Sequence, residues 1–240
     1  MWIDDVALQV NSTDKIDFKV AVKKAIASFG HLDSVRVLDI GGGKFPFLSQ
    51  DDLGSNVEYV ICDIDINELE KAPDYVSSKV QLDVCTSAPI NDLGLFHVVF
   101  SRMLAEHVPS GPKLYKNVFS LLAPGGVTLH FHPTLYAIPF VMNKILPNVL
   151  SRNIVYLLFP HRLTNDSVFP AYYDWCTSRD VEKEKRLQVG FSQVDLVRQF
   201  HNNYWNKIPL IGWLARNFAS VAKKNGWYLH SSFALFICRK

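Results

Sequence analysis

The chain has no CxxC pair. Its four cysteines, Cys62, Cys85, Cys176 and Cys238, are scattered without metal-ligand spacing, so no metal site is expected. Three of them sit in apolar, strand-like stretches where cysteine behaves as a small hydrophobe, and a reducing, cytoplasmic setting follows. No long block of charge of one sign occurs. With 25 basic and 23 acidic residues the net charge is +2, which argues against an electrostatic nucleic-acid binder. The greasiest stretch, Leu135–Phe159, is interrupted by Asn143, Lys144, Asn148, Arg152 and Asn153 and broken by Pro139 and Pro147. A spanning helix needs ~20 nearly uninterrupted apolar residues, so no transmembrane segment is expected. The start, Met1-Trp-Ile-Asp-Asp, is acidic where a secretory leader is basic, and no apolar run follows it. Repeats and low-complexity tracts are also missing. What remains is 240 residues, 48% hydrophobic and 20% charged, enough for one large folded domain and too apolar for global disorder.

Residues 1–30 are expected to form an N-terminal helical segment. Within it, Phe18, Val22, Ala25, Ile26 and Phe29 share one face of a helix over 14–29, which Gly30 ends. From residue 35 short apolar runs take over: Val35–Ile40, Glu58–Cys62, Val80–Asp83, Phe96–Ser101 and Gly126–His132. Nearly continuous apolar runs, without clean alternation, indicate strands covered on both faces, as in a parallel sheet. Helices are expected over Asn67–Ala72, Lys113–Leu122 and Ser178–Val189, the last opened by a capping-box-like Thr177-Ser-Arg-Asp180. A strand at Gln193–Phe200, an apolar insert at Tyr204–Ala222 and a final run Leu229–Cys238 complete the pattern. The expected fold is a doubly wound α/β sheet, mostly parallel, with helical insertions after the fifth strand (134–176) and before the last.

Val37-Leu-Asp-Ile-Gly-Gly-Gly-Lys44 carries the most chemical information. Consecutive glycines after a first strand let the backbone approach a ligand closely, and that edge of an open α/β sheet is where nucleotide-like ligands bind. A dinucleotide GxGxxG would require glycine where Pro46 stands, which disfavours a nicotinamide dehydrogenase, and no P-loop Gly-Lys-Ser/Thr is present. Asp39 suits a positively charged ligand better than a phosphate. S-adenosylmethionine carries an ammonium and a sulfonium and no phosphate.

At this point the sequence resembles the class I S-adenosylmethionine-dependent methyltransferases, whose first motif, (V/I)LD(V/I)GxGxG, is matched by Val37–Gly43, with Phe45 at the third glycine position. The resemblance implies a seven-stranded Rossmann-like sheet and a set of cofactor contacts. Asp39, Gly41, Gly42 and Gly43 would cup the cofactor, and Asp63 in Tyr59-Val-Ile-Cys-Asp63 would accept the ribose hydroxyls, with Ile64 packed on the adenine and Asp65 a substitute acid. Asp83 and Val84 would meet the adenine amino group. The fourth-strand motif reads Phe96-His-Val-Val-Phe-Ser-Arg-Met-Leu-Ala-Glu-His-Val108, which brings in Ser101, with His97 replacing the customary Asp. Leu121-Leu-Ala-Pro-Gly-Gly126 matches the family's turn into the fifth strand. The match covers residues 35–132 firmly and the last 45 residues weakly.

Methyl transfer from a sulfonium is an in-line displacement, for which the protein supplies alignment and excludes water. Three groups are candidates for the acceptor side: His132 at the mouth of the fifth strand, His107 in the Glu106-His107 pair, and Tyr172 in Phe169-Pro-Ala-Tyr-Tyr-Asp-Trp175. His130 reads as structural. Tyr173 is an alternative to Tyr172, and Asp174 reads as a loop acid. The inserts at 134–168 and 204–222 hold more apolar surface than a solvated lid needs, which suits a cover over the site, a homodimer contact, or a greasy acceptor or shallow membrane contact.

The leading expectation is a cytoplasmic methyltransferase acting on oxygen or nitrogen of a small-molecule or saccharide acceptor, including a lipid-linked one, with S-adenosylhomocysteine as product. No Asn/Asp-Pro-Pro-Tyr/Phe tetrad of nucleic-acid amino methylases is present. The alternative is a cofactor-binding module without catalysis that acts as a partner or regulator, favoured by Phe45 and His97.

Overall fold

The computed structural model describes residues 14–86, 93–137, 170–204 and 209–240. Helix α1 spans Phe18–Ala27, opened by Asp17, whose carboxylate accepts from Val20 N at 3.1 Å. It buries Phe18, Ala21, Val22 and Ala25, and such a buried Phe or Val contributes roughly 1.5–3 kcal/mol. The sheet strands are β1 (Val35–Ile40), β2 (Val57–Asp63), β3 (Ser78–Gln81), β4 (Phe96–Arg102), β5 (Leu122–Pro133), β6 (Gln193–Gln199) and β7 (Phe233–Arg239). Between them lie α2 (Ile66–Glu70), α3 (Gly111–Leu121), α4 (Val181–Val189) and α5 (Pro209–Lys224).

The seven strands are ordered β3-β2-β1-β4-β5-β7-β6, with β1 to β5 parallel and β7 antiparallel to both its neighbours. Buried residues alternate between two cores, one on each face. Val37, Tyr59, Ile61, Val98 and Phe100 pack with α1, while Leu38, Val60, Val99 and Phe236 pack with α3. Both faces are therefore covered, which is why the strand sequences read as continuous apolar runs. The order reverses between β1 and β4, so the crevice outside their carboxyl ends is the switch point where ligands bind in such sheets.

Two details differ from the sequence reading. Strand β3 ends at Gln81, so Asp83 falls in the turn beyond it. As an edge strand carrying exposed Ser78 and Lys79, β3 lacks the apolar run used to place it. No capping box opens α4. Thr177 Oγ1 donates to Glu182 Oε1 at 3.1 Å, because Glu182 turns inward towards Arg186. The apolar insert before the last strand holds α5. Most of the expected insertion at 134–176, and residues 1–13 of the N-terminal segment, lie outside the described residues; the flanks at 134–137 and 170–176 contain no helix.

Candidate functional site

The glycine loop leaves β1 at the switch point. Gly41 adopts φ 81°, its N–H donates to Cys62 O at 2.7 Å, and a Cβ there would sit 2.4 Å from Leu104 Cδ1. Glycine suits that positive φ, and any larger residue would be strained there and would have to push the Leu104 methyl aside. Beneath the loop Asp39 is buried, and its Oδ2 accepts from Tyr59 Oη at 2.6 Å and Phe47 N at 2.9 Å. Burial pushes the carboxyl up to about 6 against these two donors. One oxygen of the acid expected to face a cation thus anchors the chain that follows the loop.

At the end of β2, Asp63 Oδ1 accepts from Asp65 N at 3.0 Å, while Oδ2 lies 3.1 Å from where a Gly43 Cβ would be. Partial burial raises its carboxyl above the ordinary value, and the nearby Asp65 and Glu68 add to this. Ile64 beside it is 59% exposed, an apolar surface next to a carboxylate at the loop. Asp65, the expected substitute, is committed as a helix cap: its Oδ1 accepts from Asn67 N and Nδ2, both at 2.9 Å. Phe45, at the third glycine position, is 81% exposed.

Asp83 is exposed and its Oδ1 accepts from Cys85 N at 2.8 Å; Val84 is buried, with its carbonyl taking Asn117 Nδ2 at 2.8 Å. Ser101 is fully buried and its hydroxyl pairs with His130 Nδ1 at 2.7 Å, while Thr128 Oγ1 holds His130 Nε2 at 2.8 Å. His130 is structural, as expected, and burial lowers it to about 3. His97, which replaces the family's acid, accepts Arg36 N on Nδ1 at 3.0 Å and packs against Phe29. It sits at the start of β4, at the opposite end of the strand from the glycine loop, and serves the β1–β4 seam.

The acceptor-side candidates divide in two. The turn 105–107 packs on β5, with Met103 N donating to Phe131 O at 2.8 Å. There Tyr172 N and Tyr173 N donate to Glu106 O, and His107 Nδ1 bonds Pro170 O at 3.0 Å, so His107, Glu106 and Tyr172 form one cluster. Tyr172 is half-exposed, whereas Tyr173 is buried in the core, and Asp174 Oδ2 accepts Gly111 N at 2.8 Å at the start of α3. His132 is enclosed instead of standing at an open mouth. Its ring stacks on Phe236 at 5.7 Å and its Nδ1 lies 2.9 Å from Pro133 O. A carbonyl only accepts, so Nδ1 carries the proton and Nε2 presents a lone pair, buried and without a hydrogen-bond partner. Burial holds His132 neutral, at about 4.

Glu106 is the group whose weight the sequence did not convey. Its carboxyl is buried, Oε2 has no hydrogen-bond partner, and Oε1 lies 3.7 Å from His107 Nε2. Desolvation raises it to about 8. A carboxyl able to hold or release a proton near neutrality, at the carboxyl end of β4, is a functional candidate. Its place in a Glu-His pair was the only signal, and burial depends on the distant 170–176 segment. Among the described residues no group of three metal-ligating side chains occurs, and no helix is long and apolar enough to cross a membrane.

No family model and no curated protein matches the chain. Solved structures do. The chain is similar to an S-adenosylmethionine-dependent methyltransferase from Mesorhizobium loti, 15% identical over 96% of this chain and 100% of that one, at TM-score 0.56. It is also similar to Haemonchus contortus phosphoethanolamine N-methyltransferase 2 in complex with phosphomonomethylethanolamine and S-adenosylhomocysteine, 18% identical over 93% of this chain, at TM-score 0.55. The CurJ carbon methyltransferase is 17% identical over 92% of this chain, at 0.54. The chain spans about half the length of these last two, 52% and 53%. It has the Rossmann-like fold of S-adenosylmethionine-dependent methyltransferases.

Proposed function

We propose that the chain is an S-adenosylmethionine-dependent methyltransferase acting on oxygen or nitrogen of a small-molecule or saccharide acceptor, including a lipid-linked one, in the cytoplasm. The observation that carries this reading is the pairing of Asp63 Oδ2 with the positive-φ Gly41–Gly43 loop at the β1/β4 switch point, beside exposed Ile64. Carboxylate, tight loop and apolar surface together match a nucleoside with a cationic tail and leave little for a phosphate.

The residues present fit the cofactor, which when bound supplies an activated methyl group. Asp63 would accept both ribose hydroxyls. Ile64 would cover one face of the base, and Asp83 with the Val84 backbone would meet its edge. Asp39 contributes negative charge beneath the loop, while Gly41 to Gly43 keep side chains out of the way. Ser101 acts indirectly, fixing the end of β4 through His130.

On the acceptor side, Glu106, His107 and Tyr172 form the cluster that would orient an acceptor and take its proton. His132 offers a lone pair from the interior. Holding the acceptor in line and excluding water are the main contributions, worth roughly 7–11 kcal/mol in well-oriented reactions. The apolar insertion at 134–168 would act as lid or homodimer contact, and nucleic acid is disfavoured as substrate by the charge balance.

A second reading, a cofactor-binding module without catalysis, now rests on Phe45 alone, since His97 has a structural task. Calorimetric titration with S-adenosylhomocysteine, then turnover across a metabolite panel, separates the two. Binding with methylated product supports the enzyme; binding with no product from any acceptor supports the module; no binding removes both.

A further inference from the structure

Helix α5 is built inside out. Of its inward positions, Gly212, Ala219 and Ala222 are small and buried; the two alanines close on Phe200, and the partly buried Phe218 packs beside them. Its outward positions, Leu210, Trp213, Leu214 and Val221, are large, apolar and 70%, 56%, 52% and 46% exposed. At 3.6 residues per turn these four fall within a stripe roughly 100° wide. Past the positive-φ turn at Gly226, Trp227 and Tyr228 add two more half-exposed aromatic rings. An amphipathic helix normally turns its bulky face to the core; here the bulky face is outside.

The charge carried by the last 45 residues has one sign, and one acid from outside them, Asp14, pairs with Lys223 at 3.0 Å. Helix α5 carries Arg216, Lys223 and Lys224 and no acid, and every charged side chain from Leu196 to Lys240 is a lysine or arginine. The balanced charge of the whole chain conceals this asymmetry. A stripe of leucine and tryptophan flanked by basic groups is the chemistry of a helix lying in the plane of an anionic lipid interface. A second copy of the chain fits worse, because an α5–α5 contact would bring Arg216 and Lys224 from both copies together with no acid on either helix to meet them.

We propose that the outward face of α5, formed by Leu210, Trp213, Leu214 and Val221, docks on a bilayer rich in anionic phospholipid. Placement supports a use for such docking. Gln199, Phe233 and Pro133 share one register across β6, β7 and β5, so β6, the strand before α5, ends at the same sheet edge as the candidate site. Docking itself holds whatever the chain methylates; that it would bring a lipid-linked acceptor to the site is the one consequence that rests on the proposed function.

The test is co-sedimentation of the full chain with vesicles of phosphatidylcholine alone and of phosphatidylcholine mixed equally with phosphatidylglycerol. Binding to the anionic vesicles is expected to exceed binding to neutral ones and to weaken with salt. The double variant Trp213→Ser/Leu214→Ser should bind at least about tenfold less, since two large side chains leave the acyl boundary. Its thermal midpoint should match the parent, as both side chains are exposed. Asp63→Ala, which removes the expected ribose contact, should bind vesicles normally, so failure of the cofactor reading and failure of docking are separable. No pelleting with anionic vesicles, or equal pelleting of parent and double variant, overturns the proposal. So does a concentration-dependent dimer that the double variant disperses, because the face would then belong to a second copy.

Discussion

Tyr59 donates its hydroxyl to Asp39 Oδ2 across 2.6 Å of buried interior, and the Tyr59 oxygen itself accepts from Leu48 N at 3.2 Å. Phe47 N reaches the same carboxylate oxygen, and Tyr75 Oη donates to Leu48 O at 2.7 Å. One residue on β1 and one on β2 thus pin the segment after the glycine loop, and burial drives the phenol well above its ordinary range.

Tyr59→Phe removes the short bond and leaves Leu48 N without its acceptor. Loss of about 1–3 kcal/mol is expected, the usual cost of orphaning buried polar groups. Urea denaturation reads that loss. Calorimetry with S-adenosylhomocysteine should show a weaker complex, because the loop's far anchor relaxes. Unchanged stability would mean that Asp39 finds another donor and that the pair does not hold the loop.

Asp63→Ala bears on the proposed cofactor site itself. Half-buried and raised by desolvation, this carboxyl gains little from its own surroundings, so removing it should leave the thermal midpoint nearly unmoved. Affinity for S-adenosylhomocysteine should fall by about tenfold or more, since hydrogen bonds to a charged group are worth about 1.5–3 kcal/mol. Asp65→Ala is the contrasting variant: its carboxylate caps α2, so it should cost stability and spare affinity. The reverse pattern would transfer the ribose role to Asp65.

Glu106 makes stability depend on pH with a definite sign. Its folded value, about 8, lies above the ordinary 4.5, so the folded state favours the proton. Its contribution is complete below 4.5 and is lost as pH rises through 8. His130 and His132, lowered to about 3 and about 4, act the other way and withdraw stability as pH falls from 6.5. Glu106→Gln should therefore keep a higher thermal midpoint than the parent at pH 8 to 9 and converge with it near pH 5. If Glu106 takes the acceptor's proton, the rate should drop and lose its rise through the same range. A variant with the parent's alkaline melting profile would show that Glu106 is charged and solvated at neutrality.

Residues 35 to 63 were readable because their chemistry is local. A strand, three glycines and an acid ending the next strand are set by short-range sterics, and Asp63 falls where the pattern puts it. The acceptor side was not, because its assignments depend on registers that no local pattern encodes. Ser101 meets His130 only because β4 pairs with β5 in that register, and the task of His97, accepting Arg36 N, exists only where β4 lies beside β1. His132 looked accessible from its place at a strand end, yet β7, inserted antiparallel beside β5, lays Phe236 over it. Edge strand β3 slipped for the opposite reason: an edge can be polar, so its composition hid it.

Arg186 is the largest departure from what a polar helix face suggests. The sequence of α4 is polar, yet this guanidinium is fully buried between the rings of Tyr115 and Phe236, at 4.0 and 3.6 Å. Its Nη1 donates to Glu182 O and Oε2 at 2.7 and 3.2 Å, and its Nη2 donates to Tyr115 Oη at 2.8 Å and Trp175 O at 3.1 Å. These bonds tie α4 to α3 and to the 170–176 segment that also backs Glu106. Removing only one charge strands the other, so Arg186→Met should cost ~3–5 kcal/mol, with Lys185 at 2.9 Å softening the loss. Replacing both charges, Arg186→Met with Glu182→Leu, removes the desolvation burden together with the attraction and should recover much of that cost. A double-mutant cycle by urea denaturation measures the coupling. Additive losses would mean that the two side chains act independently and that the ring contacts, with the bonds to Glu182 O, Tyr115 Oη and Trp175 O, hold Arg186 in place.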